Sequence, residues 1–416
     1  MGTPLYKLGD ACTIKHGFAF KGEHMSESAD GTLPIVVNIG NFQYSGGFRF
    51  ETTKIQRYLG EFPPQFVLGP GDVLVVMTCQ TQGGEILGIP GRIPIDDRTY
   101  LHNQRMGKVV VTRPADLSLD YLYYLFLSPA MNAHLVATAS GAKILHTAPD
   151  RIENFKWPRP PIQHQRKIAS ILSAYDDLIK NNTKRIKILD EMARSLYCEW
   201  FVNFHFPGHE KTKVVNSKLG KIPEGWTAST LGENAVIVMG QAPDSAYYNE
   251  TGDGLPFHQG VTNFGRHFPQ DAAWCTAQAR EATSGDVLFS VRAPVGRLNL
   301  ARARMVIGRG LSAIRPPANR RAFTYTQLLE RVKEDSMGGG TIFKAVTKDD
   351  VHKIGWLVPP QSLLDQFDTI ASMVWRQIEI LTDKTLNLRT TRDLLLPRLI
   401  SGEIDVSSLR LEPAAS

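Results

Sequence analysis

The sequence predicts an α+β protein, with two pseudo-repeated α/β domains separated by two long helices that form an antiparallel coiled coil. Three observations carry that prediction. The chain repeats itself with a period of about 200 residues. The first part of each copy consists of short β-branched runs broken by Gly and Pro. The last part of each copy shows sustained four-three apolar spacing.

The repeat is read from matched phrases in matched order. Leu8-Gly9 followed by Gly17 returns as Leu231-Gly232 followed by Gly240. Leu33-Pro34 with Asn41-Phe42 returns as Leu255-Pro256 with Asn263-Phe264. Gly71-Asp72-Val73-Leu74 returns as Gly285-Asp286-Val287-Leu288, and Arg113-Pro114 as Arg315-Pro316. Trp157 with Pro160-Pro161 returns as Trp356 with Pro359-Pro360, and Ile168-Ala169-Ser170 as Ile370-Ala371-Ser372. Solenoid units are roughly 20–50 residues long, so this period means two copies of one domain plan.

In chain order, residues 1–158 form the first domain and 159–204 the first long helix. Residues 205–226 are rich in Lys, Gly and Pro and read as a linker. The second domain spans 217–357, overlapping the linker's end. Residues 358–404 form the second long helix, and the tail 405–416 reads as frayed. Within the domains, strands are expected at Val73 to Met77, Lys108 to Thr112, Val287 to Val291 and Met305 to Ile307. Short helices are expected at Tyr121 to Leu127 and Tyr325 to Val332.

Each long helix starts after a Pro-Pro pair, because proline suits a helix entry and breaks an interior. The first seam runs through Ile168, Leu172, Tyr175, Ile179, Asn182, Ile186, Leu189, Ala193, Leu196 and Trp200. The second runs through Phe367, Ala371, Val374, Ile378, Leu381, Thr385, Leu388, Arg392, Leu395 and Leu399. Spacing of this kind keeps one apolar stripe facing a partner. Matched length and register imply that the two helices pack on each other. Asn182 and Thr385 are the central polar positions, and an antiparallel pairing brings them together to fix the register.

The chain has 416 residues, 42% apolar and 21% charged, with a formal charge of +6. That reads as soluble, globular and multi-domain, and a mild basic excess is compatible with a polyanionic partner. The cysteines Cys12, Cys79, Cys198 and Cys275 form no CxxC pair, so neither a disulfide framework nor a zinc site is implied, and a reducing cytoplasm is expected. The longest apolar run, Tyr121 to Leu127, is far below the roughly 18 residues of a membrane span.

Catalytic motifs appear only as fragments. Gly308-Arg309-Gly310-Leu311-Ser312-Ala313 fits a dinucleotide-binding pattern, but Pro316-Pro317 stops the helix that pattern needs. Gly338-Gly339-Gly340-Thr341 lacks the Gly-Lys pair of a phosphate loop. Pro149-Asp150 with Glu153 and Lys156 has the wrong spacing for a nuclease and reads as a helix start. His205 and His209 belong to no HExxH motif, so no metal site is expected. No Pro-Pro pair follows an Asn or Asp, as an adenine methyltransferase requires.

What remains is a binding signal. From Arg292 to Arg321 there are eight arginines (292, 297, 302, 304, 309, 315, 320 and 321) and no acid. The first domain has Thr78, Gln80, Gln82, Arg92, Arg98, Asn103, Gln104 and Arg105 in the matching region. Guanidinium and amide groups are the side chains that read base edges. The DNA-facing set is therefore Thr78, Gln80, Gln82, Arg92, Arg105 and Lys143 in the first domain. In the second it is Arg292, Arg297, Arg309 and Lys344.

From end to end the chain resembles a type I restriction-modification DNA specificity subunit. The local phrases agree: Gly17-Phe18-Ala19-Phe20-Lys21, Trp200-Phe201-Val202, Lys218-Leu219-Gly220-Lys221-Ile222-Pro223-Glu224-Gly225-Trp226 and Leu395-Leu396-Pro397-Arg398-Leu399-Ile400-Ser401-Gly402-Glu403-Ile404. The resemblance implies that each α/β domain is a target recognition domain reading half of a bipartite double-stranded DNA site. It implies a non-catalytic chain without a cofactor or metal of its own. Two methyltransferase subunits would supply adenine N6 methylation with S-adenosylmethionine, and two motor-nuclease subunits would add cleavage with ATP and Mg. The first domain departs from the pattern, with Thr78-Cys79-Gln80-Thr81-Gln82 where the second has Arg-Ala-Pro-Val-Gly. The departure bears on which bases are read. The rival reading is a coiled-coil adaptor with no DNA sequence preference.

Overall fold

Two sheets recur in the same strand order in each half of the chain. The computed structural model describes residues 4–27, 30–50, 55–332 and 346–409. They divide into a first unit, Met1–Ile179 with Leu386–Ser416, and a second, Lys180–Thr385.

In the first unit a four-stranded antiparallel sheet has the order Cys12–His16, Met106–Val111, Val73–Val76, Pro90–Arg92. A five-stranded sheet has the order Met25–Ser26, Arg57–Tyr58, Ile35–Val36, Tyr100–Leu101, Val67–Leu68. Its Ile35–Val36 and Tyr100–Leu101 strands are parallel. All four residues of Val73–Val76 are buried, which explains a continuous apolar run in place of alternation.

The second unit repeats this plan. Its four-stranded sheet is Val236–Met239, Leu311–Arg315, Val287–Ser290, Leu298–Leu300. Its five-stranded sheet is Tyr248–Asn249, Trp274–Cys275, Leu255–His258, Met305–Ile307, Glu281–Ala282, again with a parallel pair at Leu255–His258 and Met305–Ile307. A two-stranded ribbon closes each unit: Tyr6–Lys7 with Lys156–Trp157, and Thr227–Thr230 with Gly355–Val358. Tyr6 faces Trp157 and Ser229 faces Trp356, so the registers match as well as the topology.

The Gly-Asp-Val-Leu phrase has a local cause. Gly71 and Gly285 have φ of 82° and 88°, a region that favours glycine. The following aspartate closes the turn. Asp72 accepts from Gly69 N at 2.7 Å, and Asp286 from Thr283 N at 2.8 Å. Both turns launch the buried central strand.

The short helices are Leu119–Phe126, capped by Ser118, and Arg321–Arg331. The long ones are Ile162–Tyr197 and Gln361–Ser401, each beginning directly after its Pro-Pro pair. In the first unit Ile168 and Leu172 share a core with Leu395, Leu396, Leu399 and Ile400. Arg392 Nη1 meets Asp176 Oδ1 at 2.6 Å, and Lys167 Nζ donates to Val406 O at 3.1 Å. Earlier residues of one segment meet later residues of the other, so these segments run antiparallel. In the second unit Ala193 and Tyr197 join the core of Phe367, Ala371, Trp375 and Ile378, with Ile186, Leu189, Leu196 and Val374 packed against it. Ile179, Asn182, Leu381 and Thr385 are buried, and Leu388 is half-buried. The hydroxyl of Thr385 donates to Leu381 O at 2.7 Å, within its own helix, so this polar group is satisfied without Asn182.

Three expectations change. The segment 205–226 is not a bare linker: Val214–Ser217 and Gly220–Pro223 form a hairpin, and Phe206, Ile222 and Trp226 are buried in the second unit's core. The tail is anchored at its start, where Val406 is buried and Lys167 donates to Ser407 O at 2.9 Å. The compact units also end inside the long helices and not at residues 158 and 357. Among the described residues no helix is long and apolar enough to cross a membrane.

Candidate nucleic-acid interface

The arginine-rich run of the second unit reverses direction at each strand, and its side chains therefore alternate between the two ends of the unit. Val287–Ser290 runs up and Leu298–Leu300 returns antiparallel to it. Met305–Ile307 runs up again, and Leu311–Arg315 returns. Arg292 and Arg297 fall in the first upper turn and Arg309 in the second. Arg302, Arg304, Arg315, Arg320 and Arg321 fall at the lower end.

The lower arginines are engaged. Arg302 pairs with Asp383 and lies over the Phe268 ring at 5.0 Å. Arg304 pairs with Glu281 at 2.8 Å and Arg315 with Asp286 at 2.7 Å. Arg320 donates to Gln361 at 2.6 Å, and Arg321 packs against Gly285. The run is therefore not one basic surface. Its acids come from other segments. Arg292 and Arg309 are exposed and Arg297 half-buried, and among the described residues none of the three side chains has an ion pair.

The upper turns are tightly built. Ser290 is fully buried; its hydroxyl donates to Pro294 O at 2.6 Å and accepts from Arg297 N at 2.8 Å. Gly296 N donates to Ser290 O at 3.0 Å. The second turn docks on the first through Val291 N to Gly310 O at 2.9 Å. Gly310 N donates to Gln259 O at 3.1 Å, and Gln241 N to Ile307 O at 3.0 Å. Arg292, Arg309, Gln241 and Gln259 are thereby gathered at one end.

The first unit builds the same end. Met77 N donates to Arg105 O at 2.9 Å, and Thr147 N to Met77 O at 2.9 Å. Val346 N to Val291 O, at 2.9 Å, is the second unit's counterpart of the latter. Gln80, Gln82, Gln104, Arg105 and Lys143 are exposed on these loops. His102 lies beneath the turn; its Nε2 donates to Met106 O at 2.9 Å. Burial pushes its pKa down to about 4, so the imidazole is neutral at pH 7.

Two expected site residues do not belong here. Thr78 is buried, with its hydroxyl hydrogen-bonded to His146 Nδ1 at 3.1 Å. Arg92 sits beside Val73, at the opposite end of the central strand, held to Asp120 at 2.7 Å and over Tyr123 at 5.7 Å. Arg98 is likewise held, by Asp96 at 2.6 Å. Lys344 lies outside the described residues, as does the Gly338-Gly339-Gly340 run.

Residues that sequence reasoning missed are Asn38, Gln56, Gln241 and Gln259. Asn103 donates to Asn38 at 3.3 Å, and Asn38 to Gln56 at 2.8 Å. The signal was present, since Gln241 follows the repeated Gly240 and Gln259 closely follows Leu255-Pro256. The motif fragments resolve structurally. Leu311–Arg315 is a strand, so no helix opens after Gly308-Arg309-Gly310. Glu153 accepts from Thr13 Oγ1 at 3.0 Å and Ile14 N at 2.8 Å, a structural role.

Residues 4–190 match the family model described as the type I restriction modification DNA specificity domain. Over 267 residues the chain is 33% identical to the putative type I restriction enzyme MjaX specificity subunit of Methanocaldococcus jannaschii, covering 62% of this chain and 61% of that one. Over these stretches the chain is similar to type I restriction-modification specificity subunits. The MjaIX specificity subunit of the same organism is 27% identical over 304 residues, 70% of each chain. The match to the MjaX relative spans 61% of that protein's length. The crystal structure of a type I restriction-modification S subunit from M. genitalium aligns with a TM-score of 0.60 at 16% identity, covering 95% of this chain and 96% of that one, a likeness of fold.

Proposed function

We propose that this chain is the DNA-reading subunit of a type I restriction-modification complex. Each unit reads one half of a bipartite duplex target, and the long helices form an antiparallel coiled coil that sets the gap between the halves. The observation that carries the reading is the doubled frame. One strand order, one ribbon register and one rim of exposed amide and guanidinium groups occur twice in a single chain. Two readers on one chain suit a target in two parts.

Phosphate contacts would position each rim and base-edge contacts would specify sequence. The antiparallel contacts of Asp176 with Arg392 support the spacer reading, as does the packing of Phe201 on Phe367 at 4.9 Å. Methyl transfer belongs to two partner methyltransferase subunits with S-adenosylmethionine, and cleavage to two motor-nuclease subunits with ATP and Mg. No catalytic step is assigned to this chain. It works in the cytoplasm of a bacterium or archaeon, where the DNA is.

The test is co-expression with a methyltransferase subunit, purification, and selection from a randomised duplex library. The expected result is one complex, with two methyltransferase copies per chain, that enriches a two-part sequence. A chain that recruits no methyltransferase and enriches no sequence overturns the proposal and leaves the coiled-coil adaptor.

A further inference from the structure

We infer that Gln104 and Arg309 are corresponding base-reading positions, Gln104 reading an adenine and Arg309 a guanine in the major groove. The inference rests on the DNA-reading function proposed above and goes past it by assigning bases to residues. The two halves of the target then differ in chemistry at one matched place.

Two independent anchors align the turns. A Cβ on Gly17 would collide with the carbonyl oxygens of Asn103 and His102, and a Cβ on Gly240 with those of Gly308 and Ile307. This close approach sets Asn103 opposite Gly308. From the other side, Met77 N bonds Arg105 O and Val291 N bonds Gly310 O, both at 2.9 Å. This sets Arg105 opposite Gly310. Both anchors leave Gln104 opposite Arg309, although the lead-in to the turn differs between the copies.

Both side chains are also available. Both are exposed, and among the described residues neither side chain has a hydrogen bond or an ion pair. Asn103 is tied down, donating to Asn38 and accepting from Arg105 N at 3.0 Å. In the second unit Gly308 and Gly310 have no side chain and lie against Gln259, so Arg309 alone projects from its turn. In the first unit Arg105 beside Gln104 is equally exposed, with no side-chain hydrogen bond or ion pair among the described residues, so the alignment with Arg309 is what selects Gln104. A rigid turn with uncommitted polar side chains suits precise base contact. A glutamine amide matches the donor and acceptor pair of adenine N6 and N7, and an arginine fork matches guanine O6 and N7. The position keeps a forked polar group in both copies while its charge changes, which fits base-edge contact better than phosphate neutralisation.

The test uses the complex with its methyltransferase subunits, the wild type against Gln104→Arg and Arg309→Gln, on a randomised duplex library and by mapping N6-methyladenine in cells. Arg309→Gln is expected to replace guanine by adenine at one position of one half-site, with about tenfold or greater loss on the original sequence. Gln104→Arg is expected to make the reverse change in the other half-site only. Arg309→Lys, which keeps charge without the fork, is expected to relax that guanine at unchanged salt dependence. Half-sites that stay intact in folded Gln104→Arg and Arg309→Gln variants overturn the inference. So does a uniform loss on all sequences with the salt slope lowered by about one, which marks a phosphate contact. A wild type that selects no sequence would bring down the DNA-reading function itself, and this inference with it.

Discussion

In the first unit the upper turn carries Gln104 and Arg105 above a buried His102; in the second it carries Arg309 between two glycines. Beneath those turns the strand orders are the same, and so are the closing hydrogen bonds from Met77 and Val291. The lower ends diverge more freely. Lys108 balances Asp72 at 2.6 Å in one copy, and Arg315 from a neighbouring position balances Asp286 in the other. Duplication has thus preserved the frame that aims the turns and released the side chains at their tips. Fold is stored in buried strands and special glycines, whereas Gln104 and Arg309, the residues proposed to read bases, have no side-chain hydrogen bond or ion pair among the described residues.

The comparison breaks most severely through the core. Phe367 is fully buried among Tyr197, Trp200, Phe201 and Phe323. Phe367→Ala is expected to cost ~3–5 kcal/mol in the second unit, by lost burial and a residual cavity. Urea unfolding followed by hydrogen exchange should show that unit's amides losing protection while the Val73–Val76 strand keeps its own. Equal loss in both units would mean they do not unfold separately.

A smaller break targets the frame beneath one tip. Gly240→Ala places a methyl against the Gly308 and Ile307 carbonyls, which must give way. The expected cost is ~1–3 kcal/mol of overpacking, with loss of the second half-site and retention of the first. Thermal melts and library selection would check both parts.

Acid sharpens the comparison, because each unit buries a neutral histidine. Burial pushes His102 and His267 down to about 4. His267 is hydrogen-bonded to the Tyr325 hydroxyl at 3.1 Å, beside Asp190 and Arg266. The unfolded chain protonates these groups near pH 6.5 and the folded chain only near 4. Their contribution is present above pH 6.5 and is lost as pH falls from there towards 4, on the order of 1–3 kcal/mol per site. His102→Gln should flatten this loss in the first unit alone, read from melting temperature against pH.

The smallest effects separate the two ends. Arg292→Ala should lower the salt slope of DNA binding by about one if it meets a phosphate. Arg92→Ala, at the lower end and already paired with Asp120, should leave DNA binding unchanged and stability within about 1 kcal/mol. A DNA defect in Arg92→Ala would show that the wrong end has been assigned.

Much of the frame was legible in the sequence because it rests on residues with few alternatives. Gly71 and Gly285 mark positive-φ turns, the Pro-Pro pairs mark helix starts, and matched phrases mark equivalent strands. The arginine run misled because a linear stretch does not show where the chain reverses. Three strand reversals sent five of its eight members to the lower end. Thr78 misled because a polar residue after a buried strand can turn inward as easily as out. The hairpin within 205–226 was hidden because Lys and Gly outnumber the few apolar anchors, Phe206, Ile222 and Trp226, that bury it.

The central claim is that reading and spacing reside in separate parts of the chain, and one measurement tests it most directly. Seven residues inserted near Asn182 and seven near Thr385 preserve a heptad seam and lengthen each helix by about 10 Å. The readout is the map of N6-methyladenine sites in cells expressing the lengthened chain with its methyltransferase partner. The expected result is the same two half-sites separated by a gap about three base pairs longer. Altered half-sites at the original gap would contradict the claim, because the helices would then carry no spacing and the units no independent reading.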